Sequence, residues 1–546
     1  MAQWSEELAG KRIRKAESDK STSDELLREA MELTVPDREN FYKRAKGEKK
    51  PGRAYDSSAG VSVMRAAGRL SSDLTPQFQE WLEIVVGPAG EALDDETFQK
   101  VYGSSKEEAR GKFQRISKVA NAVFGHPNFG AASNEMYVDY MFGTGGMSIQ
   151  ENIGEDGQPA VGMPAVFRAL PSSHFYPVEG AQGNVDQWYF WHEVKPSDVT
   201  REWPDAKMTE ELTRLAEDQK KCDVPVRFAS IVYYDEKAAP KTSPRQGGYR
   251  FEVFYMRGRN TCERIVERVS RTPAFISPRY YKVAGENRGR GPVIFALPDI
   301  RTANKITELT LKSCALELAG VWKATERHTG PVKIKPAAVI KVRDQNSLTR
   351  LDTRADLNFG ELLLEKLQEN IRKVLGDNSL PSTAGPIRTA TEFVERAREL
   401  LSDQAAGFAR LYAEFIVPAA ARVVDILERR QIIDLAGLEI DGFYVDVRLR
   451  SPLAQAEALR SVENLVRFIE ILTTLGGQEM AGVIVKLDAA AMEIARLMDI
   501  GADFLNSEED RKKAMKGLAQ RLAAQEGGDP AVAGRVAEQE AQARAA

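Results

Sequence analysis

Glu361, Glu365 and Glu369 recur at four-residue spacing, and Lys366, Arg372 and Lys373 stand among them. Carboxylate pairs can do acid–base work. None of the many pairs in this sequence is marked out as catalytic by spacing, and on a helix these charges can simply pair with one another. The four histidines (His126, His174, His192, His328) are scattered, with no HExxH and no H-x-E…C-x-x-C, so no zinc site is expected. Cys222, Cys262 and Cys314 are odd in number and far apart, which excludes a disulfide framework and a CxxC metal knuckle. The two Gly-Lys pairs, at 10–11 and 111–112, are followed by Arg12 and Phe113, so no ATP-binding P-loop is present. No G-x-S-x-G elbow occurs. Gly143–Gly146 and Gly285–Gly291 lack the strand–glycine–helix setting of a nucleotide site and read as turns supporting the helices beside them. No cofactor or metal is expected.

The elements around these residues belong to a chain of 546 residues, enough for three or four domains. Its net charge is −4, hydrophobic residues make up 42% and charged residues 29%. That is globular composition without the global basic field of a DNA-wrapping protein. The N-terminal segment has no apolar core of a secretory signal, and no run of about 18 apolar residues suggests a membrane helix, so no membrane partner is expected.

Residues 1–50 are charged and helical in pattern. Thr22-x-x-Glu25 reads as a capping box opening a helix over 24–33, stopped by Pro36. The basic run Lys43–Lys50 is either a nucleic-acid contact or a solvated loop. Ala59, Val63, Ala66 and Leu70 share a helical face, and Trp81 and Leu82 are core anchors. Between 160 and 282, short aromatic and β-branched runs punctuated by Gly and Pro predict strands, interrupted by a helical insert at 196–221. Helix returns over 298–328, with Pro298 in its first turn and a seam of Leu311, Ala315, Leu318 and Trp322. A strand-like stretch, 329–356, carries Lys333, Lys335, Lys341, Arg343, Arg350 and Arg354. A second helix over 357–375 places Leu364, Leu367, Ile371 and Val374 on one face and ends at Gly376. Two prolines and Gly385 break 377–387. Thr389-x-x-Glu392 then opens a long helix that Pro418 kinks or restarts. FYVDVRLRS reads as one strand, residues 453–525 as helix, and the end as polar low-complexity sequence. The fold class is α+β, mainly helical.

Four segments, in this order, resemble the head-to-tail connector (portal) proteins of short-tailed bacteriophages: YDSSAGVSVMRAAGRLSSDLTP, GRGPVIFALPDIRTANKITELTL, RTATEFVERARE and SPLAQAEALRSVENLV. The resemblance covers roughly residues 20–510. It implies a wing over 1–297 with a β-rich middle, a stem helix over 298–328, a clip over 329–356 and a second stem helix over 357–376. A channel loop over 377–388, a long wing helix and helical region over 389–506 and a short crown over 507–546 complete that layout. It further implies a virion protein assembled in the host cytoplasm. Typically twelve copies form a ring at one capsid vertex, through which double-stranded DNA is packaged and ejected. Terminase large subunit, tail adaptor proteins, and capsid and scaffolding proteins are the implied partners.

Under that resemblance Glu361, Glu365 and Glu369 line the channel, or they pair with Lys366, Arg372 and Lys373 on the helix surface. Asp377, Asn378, Ser379, Ser382 and Thr383 form the DNA-facing loop. Arg388, at its edge, touches phosphate or caps a neighbouring helix. The basic residues of the clip either meet acidic partner surfaces or guard an edge strand. Competing readings are an enzyme acting on nucleic acid or cell wall, and a monomeric adaptor; no enzyme activity is expected of the connector reading.

Overall fold

The computed structural model describes residues 3–38, 41, 54–319, 321–324, 348–351, 357–377, 409–450 and, beyond these, 462, 464–474, 490, 491 and 494, with short gaps at 78, 155–156, 241–246, 259–260 and 436–437. It divides into two compact units, Met1–Arg450 and Ser451–Ala546. In the second unit, residues 464–474 are helical and expose Phe468 and Ile471.

The first unit is α+β with antiparallel sheets. Helix α1 (Glu6–Thr34) starts at Ser5, whose hydroxyl accepts from the Leu8 N–H, and carries Glu6 and Glu7 in its first turn. Both features satisfy or complement the open N–H groups of a helix start. The box at Thr22 is not a helix start: α1 runs straight through it, and the Thr22 hydroxyl turns back to the Ser18 carbonyl. At 1.5 Å per residue, its 29 residues span about 44 Å.

That length lets α1 join two cores. Its first half sets Ala9, Ile13 and Ala16 on one face of a five-stranded sheet, where Trp4, just ahead of the helix, stacks on Tyr233 at 3.9 Å. Its second half puts Leu27, Ala30 and Met31 into a larger core. The sheet is β4 (Phe175–Glu179), β5 (Val185–Val194), β6 (Val226–Asp235), β7 (Gly248–Met256) and β8 (Cys262–Ser270), each antiparallel to the next. Alternation sends Tyr189 and Trp191 toward α1, and Trp188 and Phe190 to the other face. That other face is covered by the helical insert, α7 (Val199–Glu202) and α8 (Glu210–Glu217), through Val199, Trp203 and Leu212.

The larger core gathers α2 (Ser58–Leu74), α6 (Pro127–Phe142) and the sheet β3–β2–β9 (Ala165–Ala169, Met147–Glu151, Phe275–Ile276). Ala59, Val63 and Ala66 of α2 are buried as their spacing predicts, and Leu70 is half-buried. Trp81 and Leu82 are buried as well. A smaller core forms where β1 (Leu82–Val86) pairs with β14 (Val445–Leu449), beside α4 (Asp95–Tyr102) and α5 (Lys106–Phe124). The short helix α3 (Pro88–Glu91) follows β1, and the two-residue strands β10 (Tyr281–Lys282) and β11 (Gly289–Arg290) pair antiparallel after β9.

The helix expected from Pro298 begins earlier, as α9 (Pro292–Ala319), with Pro292 and not Pro298 in the first turn. It also ends earlier. Val321–Ala324 is a strand, β12, paired with β13 (Leu348–Leu351), so Trp322 belongs to a ladder and not to the helical seam. Helix α10 (Leu357–Val374) follows. Ile371 is buried and Leu364 and Leu367 pack on the core, but Val374 points out and Leu375 takes the buried place. After residues 409–411, a π-turn (Tyr412–Ile416) leads without interruption into α11 (Val417–Arg429). Proline inside a helix clashes with the carbonyl four residues back and leaves a hydrogen bond unmade; at Pro418 the widened turn absorbs this, so the helix continues.

Candidate functional site

The α9–α10 hairpin is held at both ends. At its start, two glycine segments meet backbone to backbone. Gly143 has φ +133°, and a Cβ there would strike the Gly289 carbonyl. Gly291 faces the Met141 carbonyl equally closely. The Tyr280 N–H donates to the Gly143 carbonyl at 2.9 Å and the Gly145 N–H to the Pro278 carbonyl at 3.0 Å. These glycines form the seat from which α9 departs.

Arg279, buried beside this seat, donates from Nη2 to Glu414 at 2.7 Å and from its backbone N–H to the same carboxylate at 2.8 Å. Its Nη1 reaches Glu179 of β4 at 3.4 Å, and Glu179 also binds Lys282. One guanidinium thus ties the five-stranded sheet to the π-turn and to the segment entering α9.

At the far end, α10 stops at Gly376 (φ +70°), whose left-handed conformation lets the Asp377 N–H donate to the Arg372 carbonyl at 2.9 Å. Asp377 itself is buried. It is 3% exposed under α2 and accepts from the Ser62 hydroxyl at 2.9 Å. Arg65 and Arg69 lie 3.6 and 3.7 Å from its carboxylate, and Arg69 donates to the Gly376 carbonyl at 2.9 Å.

Along α10, Glu361, Glu365 and Glu369 are exposed. Glu369 bridges Lys373 at 2.8 Å, and both the hydrogen bond and the charge of Lys373 hold its carboxyl below the usual range. The three glutamates are balanced by Lys366, Arg372 and Lys373. Arg350 stands in β13 opposite Trp322. Asn378, Ser379, Ser382, Thr383, Arg388, Lys333, Lys335, Lys341, Arg343 and Arg354 lie outside the described residues, as do the Lys43–Lys50 run and the Thr389 box. The roles of Arg279 and Glu414 escape sequence reasoning, since they are 135 residues apart and neither carries a local motif.

His174 Nδ1 lies 2.8 Å from the hydroxyl of its neighbour Ser173. His126 caps α6, accepting from the Asn128 N–H at 3.2 Å. His192 stacks on Phe190, and burial pulls its pKa down to about 3. Among the described residues no group of three His, Cys, Asp or Glu is placed to hold a metal, and no helix is long and apolar enough to cross a membrane.

A framework that anchors a helical hairpin at both ends, with balanced charge along it, suits a structural assembly part. The chain belongs to the bacteriophage head to tail connecting protein family, whose model matches residues 6–505. A probable portal protein of Bordetella phage BPP-1 is 20% identical over 476 residues, covering 84% of this chain and 79% of its own. A chain from the neck of a native GTA particle, computed with C12 symmetry, has a TM-score of 0.27 and 13% identity, over 74% of this chain and 86% of that one.

Proposed function

We propose that copies of this chain close into a ring at one capsid vertex and act as the portal through which double-stranded DNA enters and leaves the head. Terminase large subunit docks on the segment 329–356 during packaging, and tail adaptor proteins take its place afterwards. Capsid and scaffolding proteins meet the body of the ring. Twelve copies complete it. The ring assembles in the host cytoplasm and stays in the virion. The chain catalyses nothing itself, and packaging energy comes from the separate terminase.

The observation that carries this reading is the outward face of the α9–α10 hairpin. On α9, Phe295 (53% exposed) and Leu309 lie opposite the buried Val293, Ile300 and Ala303. On α10, Leu362 (67% exposed), Leu363 and Val374 are uncovered. Exposed apolar surface of this kind marks an association site. The two helices offer different surfaces, which favours a heterologous contact, and such contacts close into rings when the rotation allows. Balanced charge on α10 suits a bore that lets DNA slide, because duplex affinity rises with every phosphate neutralised. Asp377, being buried, positions the hairpin and does not face DNA; Asn378, Ser379, Ser382, Thr383 and Arg388 remain the proposed loop contacts.

The test is the double variant Leu309→Glu/Leu363→Glu, examined by native mass spectrometry. The reading predicts folded monomers in place of rings. Rings of unchanged size would contradict it.

A further inference from the structure

We propose that residues 4–16 form a releasable strap over the five-stranded sheet, docked while the Glu252 carboxyl beneath them keeps its proton and loosened when it ionises. The proposal stands independently of the ring reading and describes a device within one chain.

The strap and the sheet share a core separate from the one that holds the second half of α1. Trp4, Ala9 and Ile13 meet Trp191, Tyr233 and Phe254 there. Leu27, Ala30 and Met31 are anchored in the larger core, so the helix can fray from its start without disturbing them. Gly10 sits inside the strap, where it weakens the helix.

Glu252 lies on the strap-facing side of β7. The ladder sets it opposite Ile231 and sets Phe254 opposite Ala229, and all three of those neighbours belong to the strap's core. Glu252 is fully buried, and neither carboxylate oxygen accepts a hydrogen bond. Arg264 Nε stands 3.3 Å from Oε1 and makes no hydrogen bond; its Nη2 donates instead to the Trp4 carbonyl. Glu267 faces Glu252 directly across the ladder, a placement that disfavours two like charges. Arg250 is taken up by Asp235 and Glu267, each at 2.5 Å. The Tyr233 hydroxyl accepts from the Trp4 N–H at 3.2 Å. From the strap come Glu6, which accepts from the Arg264 N–H at 3.0 Å, Arg12, which lies over the Trp4 ring, and Arg14, whose Nε donates to the Gly10 carbonyl.

Burial outweighs the nearby arginines and pushes the Glu252 carboxyl up to about 7. A carboxyl that ionises under the closed strap gains no hydrogen bond. Opening gives it water, so the charged form favours the open state. The ionised carboxylate also attracts Arg264, whose bond to the Trp4 carbonyl helps hold the strap. Cys262 reports on the result. It is buried and its thiol donates to the Glu6 carbonyl at 3.1 Å, whereas Cys222 is partly exposed and lies outside the strap.

The experiment labels full-length protein with N-ethylmaleimide and follows the Cys262 and Cys222 peptides by mass spectrometry, in wild type and Glu252→Gln. Dividing the wild-type Cys262 rate by the variant rate at the same pH cancels the chemistry of the thiol. That ratio should rise about tenfold between about pH 6 and about pH 8. The Cys262 rate should respond only weakly to urea below the unfolding transition, because opening a strap exposes little surface. Should Glu252→Gln not fold, the wild-type ratio of Cys262 to Cys222 labelling takes its place, with the same rise expected. A ratio independent of pH would overturn the proposal. So would a Cys262 rate with the steep urea dependence of global unfolding.

Discussion

Arg279 and Glu414 meet in the interior at 2.7 Å, 135 residues apart, where the five-stranded sheet, the π-turn and the entry to α9 converge. Removing one partner of a buried pair leaves the other charge uncompensated and costs about 3–5 kcal/mol. Glu414 is partly exposed and also binds Arg410 at 3.2 Å, so Arg279→Ala should cost about 3 kcal/mol, near the lower end of that range. A thermal melt that moves by less than a degree would show that the junction does not depend on this pair.

The glycine seat gives a contrasting pair of substitutions. Gly143→Ala must both adopt a positive φ and push the Gly289 backbone aside, and it should destabilise by about 2 kcal/mol or more. Gly360, inside α10 with open space around it, should gain about 0.5–1 kcal/mol as Gly360→Ala. Opposite shifts in denaturant midpoint are expected; equal shifts would remove the seat from the account.

Glu252 of β7 is fully buried opposite Glu267 of β8, and burial pushes its pKa up to about 7, although Arg264 lies 3.3 Å away. Unfolding returns the carboxyl to about 4.5. Between pH 4.5 and 7 the folded chain therefore binds more protons than the unfolded chain, and stability falls as pH rises through this window. Glu252→Gln should lie close to wild type near pH 4.5 and exceed it by about 3 kcal/mol at about pH 8. Denaturant titrations at the two values check this; a difference independent of pH would contradict it.

Deleting residues 379–384 should leave ring assembly intact, since the hairpin is anchored by Asp377 and the glycine seat. DNA packaging or retention should fall. Normal packaging by the deletion variant would remove this segment from the mechanism.

Local patterning carried much of the fold. The strands over 165–270 show period-two alternation of large aromatics, as in Trp188 to Trp191, and the sheet follows it. The buried face of α2 follows from its four-three spacing. Boundaries failed where a local signal had a competitor. Thr22 looks like a cap, but the helix begun at Ser5 already has buried Ala16 and Leu27 on either side of it to hold it straight. Trp322 continues an apolar seam, but β-pairing with Arg350 takes it out of the helix. Asp377 reads as a polar loop residue because nothing near it in sequence announces Ser62, Arg65 and Arg69, over 300 residues earlier. Long-range pairing of polar groups leaves no periodic trace.

Electron microscopy of the purified wild-type protein shows whether its copies surround an open axis. End views of a closed ring with a hole wide enough to admit a DNA duplex are expected. Compact single-copy particles without a hole, under native conditions, would contradict the ring.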